Sequence, residues 1–213
     1  MTTVMYLHGF ASSPGGVKAT FIRERCAERG IAFRAPDLNV PDFEQMTITA
    51  GIQAAAQAVA ACPPGPVYLI GSSLGGLTAL HLLEQHPARV EKLLLLAPGL
   101  GLARRSAQTT PLGPVDQWRE QGYLMAYNYA REAEAAIHYG FLQDAMQYDG
   151  FSVQPPVPAH IVHGRHDETV PVEDSLGYAQ RHPGVTVDVL DADHGLTARV
   201  ATIWAVAVEF FGL

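Results

Sequence analysis

Four short apolar runs without polar alternation mark the chain: V-M-Y-L (4–7), V-Y-L-I (67–70), L-L-L-L-A (93–97), and I-V (161–162) behind Ala159 and His160. A strand with water on one face alternates apolar and polar residues, whereas a strand covered on both faces does not. These runs therefore predict a mostly parallel sheet with helices on either side. I-A-F-R-A (31–35) and V-T-V-D-V-L (185–190) are weaker strand candidates, bringing the sheet to about six strands.

Between the runs the apolar period lengthens to that of a helix. Val17, Phe21 and Ile22 lie at helical spacing in a segment that stops at Gly30, a natural residue for a helix C-terminus. An alanine-rich segment from about Thr49 to Ala61 is closed by Pro63 and Pro64. Leu74, Leu77, Leu80 and Leu83 predict a helix to His86, ended by Pro87. Leu196, Val200, Ile203, Trp204, Ala207, Phe210 and Phe211 predict a last amphipathic helix on the sheet. Alternating strand and helix predict an α/β fold, a doubly wound sheet in a single domain spanning residues 1–213. The stretch 98–158 breaks the rhythm, with no strand evident and helical patterns rich in aromatics. It is read as a helical lid insertion. Trp118, Tyr123, Tyr127, Tyr129, Tyr139, Phe141 and Tyr148 in it are candidates for an acyl pocket or, as aromatics at helical spacing usually are, for core.

Composition changes this picture little. Fourteen Lys and Arg against 21 Asp and Glu leave a formal charge of −7 without blocks of one sign, which argues against nucleic acid as partner. The two cysteines, Cys26 and Cys62, have no ligand-type spacing, which suits a reduced, cytoplasmic setting. The first residues lack the basic start of a signal peptide, and no apolar stretch approaches the roughly 20 residues of a membrane span.

Candidate chemistry begins at I-G-S-S-L-G-G (70–76), directly after an apolar run and before a leucine-rich helix. A serine on a sharp strand-to-helix turn brings the residues two before and two after it together, so both must be small. Around Ser73 these are Gly71 and Gly75; around Ser72 they are Ile70 and Leu74. Sterics choose Ser73 as nucleophile and leave Ser72 as a turn residue.

A serine hydroxyl needs a base, and the base an orienting acid, in the chain order Ser, Asp or Glu, His. Of the late histidines, His194 in D-A-D-H-G-L follows the last strand candidate and lies at the carboxyl edge of the sheet, where ligand sites of open α/β sheets form. His182 falls at the opposite edge. Asp167 in H-G-R-H-D-E-T-V-P follows the preceding strand and is preferred to Glu168, Asp191 and Asp193. The backbone N–H groups of Phe10, after L-H-G, and of Leu74, at a helix start, are the candidate oxyanion donors. His8 is read as a loop brace. His160, His163 and His166 are three apart, a spacing that alternates faces along a strand, so no metal site is read there. No phosphate-binding glycine loop occurs, and no cofactor is expected.

With Y-L-H-G-F-A-S-S-P, K-A-T-F, G-S-S-L-G-G, H-G-R-H-D-E-T-V-P and D-A-D-H-G, the chain resembles the α/β-hydrolases, and more narrowly small bacterial esterases of the YqiA type. The resemblance implies a compact sheet lacking the first two strands of the larger pattern and no cofactor. It also implies hydrolysis of a small-molecule acyl ester or thioester by Ser73, Asp167 and His194. Two other uses of such a site are a different chemistry on the same triad, such as perhydrolysis or C–C cleavage, and a binding module without turnover. Oligomeric state is left open by the sequence.

Overall fold

The structure, a computed structural model, describes residues 1–85, 89–105, 109–110 and 113–213. Its centre is a six-stranded, all-parallel sheet. The strands are β1 (Thr3–Leu7), β2 (Ala32–Arg34), β3 (Val67–Ser72), β4 (Val90–Leu96), β9 (Ala159–Gly164) and β10 (Val185–Leu190), in the order β10-β9-β4-β3-β1-β2. The order reverses between β1 and β3, which opens a crevice at their carboxyl ends.

The unalternating runs are explained by two separate apolar layers. Met5, Leu7, Val67, Leu69, Leu93, Leu95 and Ile161 face one layer, and their neighbours Val4, Tyr6, Ile70, Leu94, Leu96 and Val162 face the other. The first is covered by α2 (Ile48–Ala60), α3 (Leu74–Gln85), α7 (Val172–Arg181) and the inserted segment. The second is covered by α1 (Val17–Glu28) and α8 (Val200–Phe211), through Ala19, Ile22 and Cys26 and through Ile203, Trp204, Ala207 and Phe211. Burying both faces of the central strands β1, β3, β4 and β9 removes most of their side chains from water, and this apolar burial is the main term favouring the fold.

A local signal sets the start of α2. Thr47 caps α2, its Oγ1 accepting the Ala50 N–H at 3.0 Å. The predicted stop of α3 at His86 and Pro87 lies outside the described residues. The last helix starts later than its pattern implies: Leu196 is buried but has φ of +54°, and only after a 3₁₀ turn at Thr197–Arg199 does α8 begin. Leu196 therefore belongs to the loop before the helix, where its N–H donates to Asp193 at 3.0 Å.

The insertion is not wholly helical, and here the expectation is corrected. It holds α4 (Leu102–Arg105), a short β5–β6 pair (Thr109–Thr110, Gly113–Pro114), α5 (Val115–Gln121), an antiparallel hairpin of β7 (Tyr123–Asn128) and β8 (Ala133–His138), and α6 (Tyr139–Ala145). The stretch A-Y-N-Y-A-R-E-A-E-A-A-I-H is rich in helix formers, yet tertiary contacts override that propensity. Along β7, Leu124, Ala126 and Asn128 are buried while Tyr123, Met125 and Tyr127 are exposed, a period of two. Asn128 Oδ1 accepts the N–H groups of Ala130 and Arg131, both at 3.0 Å, and so turns the hairpin. Trp118 and Phe141 are buried beneath it, with the Trp118 indole N–H donating to Ile137 O at 2.9 Å.

Candidate active site

The crevice at the strand reversal is where three loops meet. The turn after β3 carries Ser73 with φ of +52°, a left-handed conformation that a non-glycine residue adopts only where its surroundings impose it. Its N–H donates to Leu96 O at 2.9 Å, and its carbonyl accepts from Gly76 at 2.9 Å and Gly99 at 3.0 Å. The two glycines are needed for packing: a Cβ on Gly71 would lie 2.6 Å from Gly75 O, and one on Gly75 would strike the carbonyls of Leu7 and His8. Ser72, the last residue of β3, is turned toward the phenol of Tyr6, which burial pushes above its ordinary pKa.

The other two members of the predicted trio come from the loops after β9 and β10. Ser73 Oγ lies 3.0 Å from His194 Nε2, and His194 Nδ1 lies 2.7 Å from Asp167 Oδ2. With Nδ1 against a carboxylate, the ring proton resides there and Nε2 is left as the acceptor for the serine hydroxyl. His194 is partly open to solvent, while the Asp167 side chain is fully buried. Burial alone would push the Asp167 carboxyl up, but hydrogen bonds from His163, His194 and the Val170 N–H outweigh it and hold the group well below the usual carboxylate range.

The candidate oxyanion donors flank the serine. Phe10 follows His8 and Gly9 on the loop after β1, and Leu74 is the first residue of α3, at the positive end of the helix dipole. Neither N–H meets an acceptor among the described residues. The Phe10 ring packs on Phe43 and Phe141, with centroids 5.5 and 5.4 Å away, which anchors that loop under the insertion. Gly9 runs close past the serine, since a Cβ there would sit 3.3 Å from Ser73 Cβ. His8 braces the same loop: its buried ring donates from Nδ1 to Gly9 O at 2.9 Å and accepts the Leu38 N–H at Nε2 at 2.9 Å.

A cavity of about 660 Å³ opens in front of Ser73 and His194. Its wall mixes Phe10, Val17 and Tyr129 with Ser12, Lys18 and Thr197. Of the aromatic residues in the insertion only Tyr129, at the hairpin tip, lines it; its N–H donates to Ala11 O at 2.9 Å. Tyr123 and Tyr127 are exposed on the outer face of the hairpin. His160, His163 and His166 go separate ways, to Thr186, to Asp167 and to Asp191. Among the described residues no group of three or more His, Cys, Asp or Glu side chains is arranged to hold a metal ion.

Two residues in contact with these loops were not picked out from the sequence. His163 contacts Asp167, a relationship visible only as a four-residue spacing in H-G-R-H-D. Lys18, in the loop-to-helix segment K-A-T-F, reaches across to the histidine loop and bonds Gly195 O at 2.5 Å.

The chain order Ser, Asp, His, with the residues on loops at the carboxyl ends of β3, β9 and β10, belongs to one architecture, and the chain is a member of the α/β-hydrolase superfamily. Solved structures superpose over nearly its whole length. Alpha/beta hydrolase domain-containing protein 10 from mouse does so with TM-score 0.81 and 24% identity, over 99% of this chain and 89% of that one. Est1E from Butyrivibrio proteoclasticus, determined with ferulic acid bound, does so with TM-score 0.85 and 19% identity, over 99% and 88%.

Within the superfamily the chain belongs to the uncharacterised protein family UPF0227, which it matches over residues 3–211. Among curated proteins it is 26% identical over 195 residues to the mitochondrial palmitoyl-protein thioesterase ABHD10 of Mus musculus, covering 88% of this chain and 66% of the relative. The Homo sapiens protein of the same name is 26% identical over 199 residues, covering 90% and 65%. The chain thus spans just under two thirds of the length of these two relatives.

Proposed function

We propose that the chain is a serine hydrolase that cleaves a carboxylic ester or thioester through an acyl-enzyme. The observation that carries this reading is the continuous path Ser73 Oγ to His194 Nε2 at 3.0 Å and His194 Nδ1 to Asp167 Oδ2 at 2.7 Å, opening on a cavity. His194 takes the Ser73 proton as Oγ attacks the carbonyl carbon, Asp167 holds the tautomer and stabilises the imidazolium, and the N–H groups of Phe10 and Leu74 receive the oxyanion. His194 then gives its proton to the departing alcohol or thiol, and water, deprotonated by the same imidazole, releases the acid.

The relatives named as thioesterases support an acyl-thioester as one substrate class. The mixed wall of the cavity suits an acyl group beside a polar leaving group. Buried free thiols at Cys26 and Cys62 support a reducing compartment such as the cytoplasm. Among the described residues no helix is long and apolar enough to cross a membrane.

The test is covalent labelling by a fluorophosphonate, read by intact mass. One adduct is expected on the wild type. It should be lost in Ser73→Ala, kept in Ser72→Ala and slowed in His194→Ala. A folded wild type that stays unlabelled and turns over neither p-nitrophenyl esters nor acyl-thioesters would instead favour a binding role for the cavity.

A further inference from the structure

The Asp167 carboxylate accepts four hydrogen bonds, which is all that its two oxygens hold. Oδ1 takes the N–H groups of Thr169 and Val170 at 2.9 and 2.7 Å. Oδ2 takes two imidazoles, His194 Nδ1 at 2.7 Å and His163 Nε2 at 3.0 Å. The His163 and Asp167 side chains are both fully buried.

The tautomer of His163 follows from its partners. Nε2 faces two acceptors, Asp167 Oδ2 and Val170 O, each at 3.0 Å, so it carries the proton. Nδ1 faces the buried Ser175 hydroxyl on α7 at 2.7 Å, which donates to it. The ring is thereby complete as a neutral group: one shared donor and one filled acceptor. A neutral donor at this place directs the carboxylate without cancelling its charge, which an imidazolium would do.

We infer that His163 is a positioning residue of the hydrolytic reaction, its Nε2–H fixing Asp167 Oδ2 between two imidazoles so that the carboxylate is aimed at His194 and part of its basicity is withheld. The inference rests on the reading of Ser73, Asp167 and His194 as the triad. It takes the histidine from a strand end to the machinery without contact to substrate.

The other charged groups near the carboxylate are few. His166 and Asp191 pair with each other at 2.8 Å in solvent, and Glu168 is exposed. From the loop that carries His194, the Asp193 side chain accepts the Leu196 N–H and Lys18 bonds Gly195 O. From α7 the group that faces the ring is the Ser175 hydroxyl, which does not titrate in the working range. The expected response is therefore assigned to the two histidines on Asp167.

Removing the His163 donor leaves more of the carboxylate's charge for His194, whose imidazolium is then better stabilised and keeps its proton to higher pH. The acid limb of kcat/KM moves up, and loss of aim lowers the plateau. For His163→Phe the expected outcome is a plateau lower by roughly tenfold to 10²-fold and an acid limb about half a pH unit higher, measured with a p-nitrophenyl ester from pH 5 to 9. His163→Gln, whose amide nitrogen can donate to the same oxygen, should return the limb to its wild-type position. A merely structural role would lower thermal stability and leave the limb in place.

A measurement on the wild type is independent of whether His163→Phe folds: ¹⁵N-histidine NMR, with the His163 signals assigned by their loss in His163→Gln. At pH 8 they should show the Nε2–H tautomer. An Nδ1–H tautomer, or a folded His163→Phe with an unmoved limb, overturns the inference. Failure of the triad reading would look different, since Ser73→Ala would then hydrolyse the ester as fast as wild type.

Discussion

The ammonium of Lys18 donates a 2.5 Å hydrogen bond to the carbonyl of Gly195, the residue after His194, and so clips helix α1 to the loop that holds the imidazole. Burial lowers the Lys18 pKa and the nearby charge of Asp193 opposes that, so the clip is a charged donor kept in a partly dry place.

Lys18→Met keeps most of the stem and removes the donor. A hydrogen bond to a charged group is worth about 1.5–3 kcal/mol, but the desolvation of the ammonium disappears with it, so little net stability changes. The catalytic cost remains because the His194 loop is no longer held. The expected outcome is a kcat/KM about tenfold lower with a thermal midpoint within about 2 °C of wild type. Steady-state kinetics beside a melting curve checks it, and an unaltered kcat/KM speaks against the clip.

Gly71 and Gly140 make a matched pair for the turn that presents Ser73. A methyl group on Gly71 meets Gly75 O at 2.6 Å and Gly76 Cα at 2.8 Å, both backbone atoms that cannot swing aside, whereas one on Gly140 meets nothing within 4 Å. Gly71→Ala should destabilise by about 1–3 kcal/mol and slow fluorophosphonate labelling. Gly140→Ala, inside α6, should stabilise by roughly 0.5–1 kcal/mol and leave labelling alone. Urea unfolding of both variants decides it, and equal midpoints would contradict the steric account.

Under the proposed mechanism, Asp167 links activity to acid stability. Its carboxyl is held low in the folded protein and titrates near ~3.9 when unfolded. Between the two values the unfolded chain binds more protons, so stability rises with pH in that window. The contribution is complete above about pH 5 and is lost as pH falls through ~3.9 toward the depressed folded value. Melting curves from pH 2.5 to 6 should therefore fall more steeply for wild type than for Asp167→Asn below about pH 4. The same variant should lose on the order of 10³–10⁴-fold in kcat, because the amide no longer selects the Nδ1–H tautomer of His194. Parallel stability curves would show that this carboxylate is not the group responsible.

Much of the fold is legible in the sequence. The strands at 4–7, 67–70, 93–97 and 161–162 could be read because burial on both faces suppresses alternation, and the two apolar layers are that cause made visible. The sharp turn at Ser73 was legible for a local reason: G-x-S-x-G is a statement about which residues can lack a Cβ at a tight turn, and Gly71 and Gly75 do meet backbone atoms there. The hairpin was not legible. Its strand Ala133–His138 is built of residues that favour helix, and its pairing with Tyr123–Asn128 depends on seating over Trp118 and Phe141.

By itself, then, the chain determined the properties that depend on near neighbours: element periods, the sharp turn, and the order in which a serine, an aspartate and a histidine follow β3, β9 and β10. Only the tertiary structure decided which donors share the Asp167 carboxylate, that Lys18 reaches the loop of His194, and that Tyr129 alone of the insertion's aromatic residues faces the cavity. The physical reason is range. Periodicity and steric exclusion act within a few residues, whereas the contact from Ser73 to His194 spans 121 positions and exists only once the parallel sheet has set its strand ends side by side.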